Sequence, residues 1–123
     1  MVLLKMRYKT MNTEKAKSYM MKNSRIESMT KTSEYIKSLD FNDESYRFVL
    51  ATVKSVKGEF EQSNNLVNSL IELAKINADD FTITVIDVYL EEQTSMIGVI
   101  EDSYRFIETC EAIEESKNIK QYN

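Results

Sequence analysis

The sequence predicts an all-α protein built from antiparallel helix hairpins, and three observations carry that prediction. The 123 residues include no proline and only two glycines, Gly58 and Gly98, and these are the residues that punctuate turns, barrels and sandwiches. Apolar residues recur at three- and four-residue spacing along most of the chain, the period of a helix with one buried side. Short polar clusters separate those stretches at intervals that suit hairpins.

The first segment, 2–9, is short and apolar, and reads either as the end of a helix or as a strand. Asn12-Thr13-Glu14 looks like a helix start, with Thr13 placed to accept a first-turn amide and Glu14 at the positive end. Ala16, Tyr19, Met20, Ile26, Met29 and Ile36 form a rough helical stripe. It is weakest at Lys22-Asn23-Ser24, where a break is expected. Asp40-Phe41-Asn42-Asp43 is a polar break whose last residues are suited to cap the next helix.

Val49, Val53, Val56 and Phe60 follow at helical spacing, and Gly58 among them predicts a tight turn between two helices. The stretch 61–74 carries Leu66, Leu70 and Leu73 on one face, widened by Val67 and Ile71. Ile76-Asn77-Ala78-Asp79-Asp80 is the next connection, with Asp79 or Asp80 as cap. In 81–90 the alternation of Phe81, Ile83 and Val85 with threonines fits a strand. But Phe81, Val85 and Val88/Tyr89 also fall on one face of a helix and Ile83, Ile86 and Leu90 on a second, the pattern of a helix sandwiched between neighbours, and the lack of a partner strand favours helix. Met96, Ile100, Tyr104 and Ile107 stripe the last helix, with Phe106, Cys110 and Ile113 beside them. One domain over 1–118 and a polar, frayed tail over 119–123 complete the plan.

Composition excludes several functions. The net charge is −4, and Lys and Arg alternate with Glu and Asp instead of forming the basic face of a nucleic-acid binder. No apolar run approaches the roughly 20 residues that span a bilayer, and the opening apolar run is too short for a secretory leader. A single cysteine, Cys110, points to a reducing, cytoplasmic home; its apolar stripe and acidic neighbours predict a buried, unreactive thiol. There is no histidine, which removes the commonest general base and nitrogen metal ligand. The paired carboxylates at Asp79/Asp80, Glu91/Glu92, Glu101/Asp102 and Glu114/Glu115 diverge on a helix and read as solvated. No enzyme, metal or cofactor is expected. The tyrosines at 19, 35, 46, 89 and 104 read as packing, and Met20, Met21 and Met29 as core filling.

Helix, tight turn, helix, cap, repeated, is the pattern of helical-repeat proteins. Gly58-Glu59-Phe60-Glu61-Gln62-Ser63 resembles the tetratricopeptide turn. Tyr8-Lys9 with Glu14-Lys15-Ala16 and Tyr19 resembles a turn in the peptide-regulated receptors of Gram-positive bacteria. Asp80-Phe81-Thr82-Ile83, with Tyr89 and Glu91, resembles the last repeat of the Rap-type response-regulator phosphatases. The family implies about three stacked hairpins in a right-handed tetratricopeptide-like superhelix. Its amino-terminal regulator-binding bundle has no counterpart here, so its phosphatase activity is not carried over. Two registers remain open for the first hairpin, one of them pairing Arg25-Ile26-Glu27 with Glu59-Phe60-Glu61.

In such stacks the first helix of each hairpin lines a concave groove. That places Arg47 and Lys54 on a basic wall, Thr84, Asp87 and Glu91 on an acidic one, and Asn64, Asn65 and Asn68 between them, where amides can bond a peptide backbone. The expected function is non-catalytic binding of a peptide or protein helix, by a truncated relative of quorum-sensing peptide receptors. Self-association through an exposed end repeat, as a homodimer, is expected beside it. A small phage or plasmid regulator that sequesters one protein is the alternative. No nucleic acid or membrane partner is expected.

Overall fold

The computed structural model describes residues 14–122, with 119–122 as backbone alone. The 2–9 segment and the Thr13 cap lie outside the described residues. Four helices follow one another: α1 over 14–22, α2 Ile26–Ser38, α3 Asp43–Ile76 and α4 Asp80–Tyr122, with no strand among the described residues. The 81–90 stretch is helix. At 1.5 Å per residue α3 is about 51 Å long and α4 about 65 Å.

The breaks fall where short polar side chains compete with the helix ladder for backbone groups. Asn23 donates from Nδ2 to the Tyr19 carbonyl at 2.8 Å, and Ser24 Oγ donates to the Met21 carbonyl at 2.8 Å. Together they end α1 at the expected place. Asn42 Oδ1 accepts from the Ser45 amide at 2.9 Å and caps α3, with Asp43 and Glu44 in the first turn. Asp79 Oδ1 accepts from the Thr82 amide at 2.7 Å and caps α4.

Long-range pairs fix the topology. Tyr46 meets Glu111, Lys57 meets Tyr104 and Ser63 meets Gln93, so α3 and α4 run antiparallel. Arg25 meets Glu92 and Lys37 meets Asp102, so α2 runs parallel to α4. Three helices therefore pack together, α2 and α3 each against α4. Two further contacts tie α2 to α3: the Arg25–Glu59 ion pair at 3.2 Å and the edge-on Tyr35–Phe48 rings at 5.5 Å.

The core follows a four-three spacing. On α3 the inward residues are Val49, Val53, Val56, Phe60, Ser63, Val67, Leu70 and Ala74. On α4 one seam, Gln93, Met96, Ile100, Ser103, Ile107 and Cys110, lies on the α3 side. A second, Glu92, Ser95, Val99, Asp102 and Phe106, lies on the α2 side. A mean repeat of 3.5 residues keeps such seams in register along closely aligned helices. Met29 and Ile36 bring α2 into the same core. Gln93 Nε2 donates to Ser63 Oγ at 3.1 Å within the α3–α4 seam, a buried polar pair of the kind that penalises slipped registers.

Several expectations are corrected. No turn forms at Gly58: α3 runs through it, and neither glycine has positive φ. A mid-helix glycine costs about 1 kcal/mol against alanine, and Val56, Phe60 and Ser63 on either side bury enough to hold the helix straight through. The expected helices over 81–92 and beyond Met96 are one helix, and its backbone continues through the polar tail to Tyr122. In 61–74 the chain buries Val67 and half-buries Leu70, leaving Leu66 and Leu73 exposed. Tyr19 and Tyr35 are exposed, while Met29 is buried and Met20 and Met21 are half-buried.

Candidate functional site

The side of the α3–α4 hairpin turned away from α2 carries a shallow seam of half-exposed apolar side chains. Its floor on α4 is Ile83, Leu90, Ile97 and Tyr104, seven residues apart and 45, 45, 43 and 39% exposed. Leu50 and Ile71 on α3 add two more half-exposed apolar side chains. Lys57 Nζ sits 4.8 Å from the Tyr104 ring centroid and ties the two walls together, a cation–π contact across the groove. The row spans 21 residues, about 31 Å of helix, so a single docked helix of five or six turns would cover it.

The rims differ in charge. Along α3 the outer row is Arg47, Lys54, Glu61, Asn68 and Lys75, joined by Lys57 and Asn64 nearer the floor. Along α4 it is Asp80, Asp87, Thr94, Glu101 and Glu108. One wall is thus mostly basic and the other acidic. Seven-residue spacing on two continuous helices keeps each row on one side.

Of the residues expected from sequence, Arg47, Lys54, Asn64, Asn68 and Asp87 lie on this groove side. Thr84 and Glu91 do not: they share a row with Gly98, where a Cβ would approach Ser33 of α2 at 4.0 Å. Asn65 falls on a different row, with Gly58, away from both neighbours. The expected walls also face each other differently. Arg47 is level with the Cys110–Glu111 end of α4, whereas Asp87 lies opposite the 68–71 stretch of α3. The two ends are therefore some tens of ångströms apart. Thr84 Oγ1 donates to the Asp80 carbonyl and Arg47 Nε to that of Asp43, so both are partly engaged by their own helix.

Sequence reasoning missed the Ile83–Leu90–Ile97–Tyr104 row. It assigned Ile83 and Leu90 to a sandwiched face and Tyr104 to the core stripe. The seven-residue recurrence was readable, but it becomes one row only if no break interrupts 80–104.

A second concavity of about 250 Å³ lies at the open end of the bundle, lined by Phe41, Asp43, Tyr46, Cys110, Glu111 and Ile113 among others. Cys110 is half-buried at the rim of the core, not deep within it as expected. Its burial, then the Asp43 and Glu111 carboxylates, push its thiol up, so it stays protonated and weakly nucleophilic at neutral pH. Partial burial, then the Glu111 charge and a 3.3 Å hydrogen bond to it, likewise raise the Tyr46 phenol. Among the described residues no three acidic or cysteine side chains converge as a metal would require, and no helix is long and apolar enough to cross a membrane.

Three packed helices define the class of architecture: an all-helical bundle with a row of half-exposed apolar side chains along one side. No family model, no curated protein and no solved structure matches the chain.

Proposed function

We propose that this is a non-catalytic binding protein that takes an amphipathic peptide or protein helix into the groove between α3 and α4. The observation that carries the reading is the half-exposed row Ile83, Leu90, Ile97 and Tyr104. An apolar stripe flanked by charge is what helix-in-groove recognition uses, with anchors on one side of the ligand and rim charges setting its direction. A basic wall on α3 and an acidic wall on α4 favour a ligand with the opposite arrangement. Kinship with tetratricopeptide receptors of the Rap type belongs to this proposal, and local sequence at 58–63 and 80–91 is its support. The uninterrupted helix through Gly58 weighs against a stacked-hairpin version. A single cysteine, with no second one in the sequence to pair with, suits a reducing compartment, and on that ground the reading includes a cytoplasmic location.

The test is a titration with a fluorescein-labelled amphipathic helical peptide of about 18 residues, long enough for five turns, alongside a panel of short signalling peptides. Leu90→Glu with Ile97→Glu is expected to weaken binding at least about 10-fold, the cost of placing charge in an apolar contact. Arg47→Glu is expected to weaken ligands with an acidic edge. Saturable binding that is the same in all three proteins would remove the groove from the function.

A further inference from the structure

We infer that the occupant of this groove is a second copy of the chain, packed by a two-fold axis that runs parallel to the helices. This rests on the groove reading and names its partner. Charge complementarity and symmetry together select that arrangement.

A closed dimer built from one patch must be self-complementary. Two arrangements lay the groove on itself with the helices aligned. An axis across the helices sets α3 on α3 and α4 on α4, so basic meets basic and acidic meets acidic. An axis along the helices sets α3 of one copy on α4 of the other, antiparallel and at the same level. Only the second joins opposite charges, and it fixes the register without further assumption.

The level of each residue follows from the pairs within one copy: Tyr46 with Glu111, Lys57 with Tyr104 and Ser63 with Gln93. Lys54 of one copy then lies between Glu101 and Glu108 of the other. Arg47 lies beside Glu108 and Glu111, and Lys75 between Asp80 and Asp87. The apolar residues match in the same register. Leu50 comes level with the stretch between Tyr104 and Glu111 of the second copy, and Ile71 falls between its Ile83 and Leu90. Lys57, already over its own Tyr104 ring, lends its aliphatic stem to the floor.

The area is adequate. Six apolar side chains, each about two-fifths exposed, present roughly 500 Å² per copy, at the upper end for a monomer's largest patch. With the charged rims the contact approaches the roughly 800 Å² per partner of a stable interface.

Sedimentation equilibrium on the full chain tests this. The wild type is expected at twice its 14.4 kDa mass. Where residues 47–54 of one copy face residues 101–108 of the other, Arg47→Glu with Lys54→Glu makes both sides acidic, and Glu101→Lys with Glu108→Lys makes both basic. Each variant alone is expected to dimerise about 100-fold more weakly, since like charges then face each other across the contact. An equimolar mixture of the two restores every opposite-charge pair and is expected to return to dimer mass. All four positions are exposed, and circular dichroism verifies that helix content is unchanged. Should either variant lose helix, Leu90→Gln, which carries no charge, is expected to weaken the dimer by itself. A monomeric wild type at about 100 µM, well above a micromolar Kd, overturns the dimer, as does wild-type-like dimerisation of either charge variant. The peptide titration tests the groove independently of the dimer: a monomer that binds the peptide keeps the groove and loses only the second copy.

Discussion

Replacing Gly58 with alanine separates the continuous-helix architecture from the hairpin that the local sequence suggests. In the structure Gly58 is exposed, helical and without positive φ, and a Cβ built on it meets nothing within 4 Å. Alanine therefore adds no clash. It removes backbone freedom from the unfolded chain and shields the helix backbone, a gain of about 0.5–1 kcal/mol. For a domain of this size that is a rise in Tm of about 2–5 °C. A tetratricopeptide turn at Gly58 would give the opposite sign, because alanine in a left-handed conformation costs about 1 kcal/mol or more. Urea denaturation followed by circular dichroism reads the difference directly. A higher midpoint with unchanged slope is expected. Stability lowered by about 1 kcal/mol or more would refute the uninterrupted α3 and, with it, the seven-residue rows on which the groove depends.

Other outcomes follow from the core and its polar pair. Ile36→Ala, at a position 1% exposed, is expected to lower stability by about 2–5 kcal/mol and to release α2, seen as faster hydrogen exchange across 26–38. Ser63→Ala leaves Gln93 Nε2 buried without its acceptor and is expected to cost about 1–3 kcal/mol in urea denaturation; Ser63→Ala with Gln93→Leu is expected to recover most of that loss. Thiol-reagent kinetics should show Cys110 reacting slowly at neutral pH, with its rate rising at a pH above the ordinary thiol value of about 8.5. Cys110 and Tyr46 both have pKa values raised by folding. Their neutral forms are favoured in the native state, so their contribution is complete below the unfolded pKa values. It is lost as pH rises through the folded ones, and Tm is expected to fall on the alkaline side.

The sequence by itself determined the all-helical class, a break around 22–24, and caps within 40–43 and at Asp79 or Asp80, between which the structure chose Asn42 and Asp79. These depend on local competition between short polar side chains and the backbone, which neighbouring residues reveal. It also determined that the α3 stripe from Val49 to Phe60 faces inward. Tertiary structure decided what happens at Gly58 and between Glu92 and Met96, where local propensity is nearly balanced. There, burial along a seam of about 50 Å outweighs a cost of about 1 kcal/mol at one glycine. Continuity through Gly58 decided which of Leu66, Val67, Leu70 and Leu73 turn inward, because the Val49–Phe60 stripe extended along one unbroken helix reaches Val67 and Leu70 and leaves Leu66 and Leu73 outside it. The groove row of Ile83, Leu90, Ile97 and Tyr104 came from the same source: its residues were visible one by one, but only the packing of α2 on the opposite side left them together and uncovered.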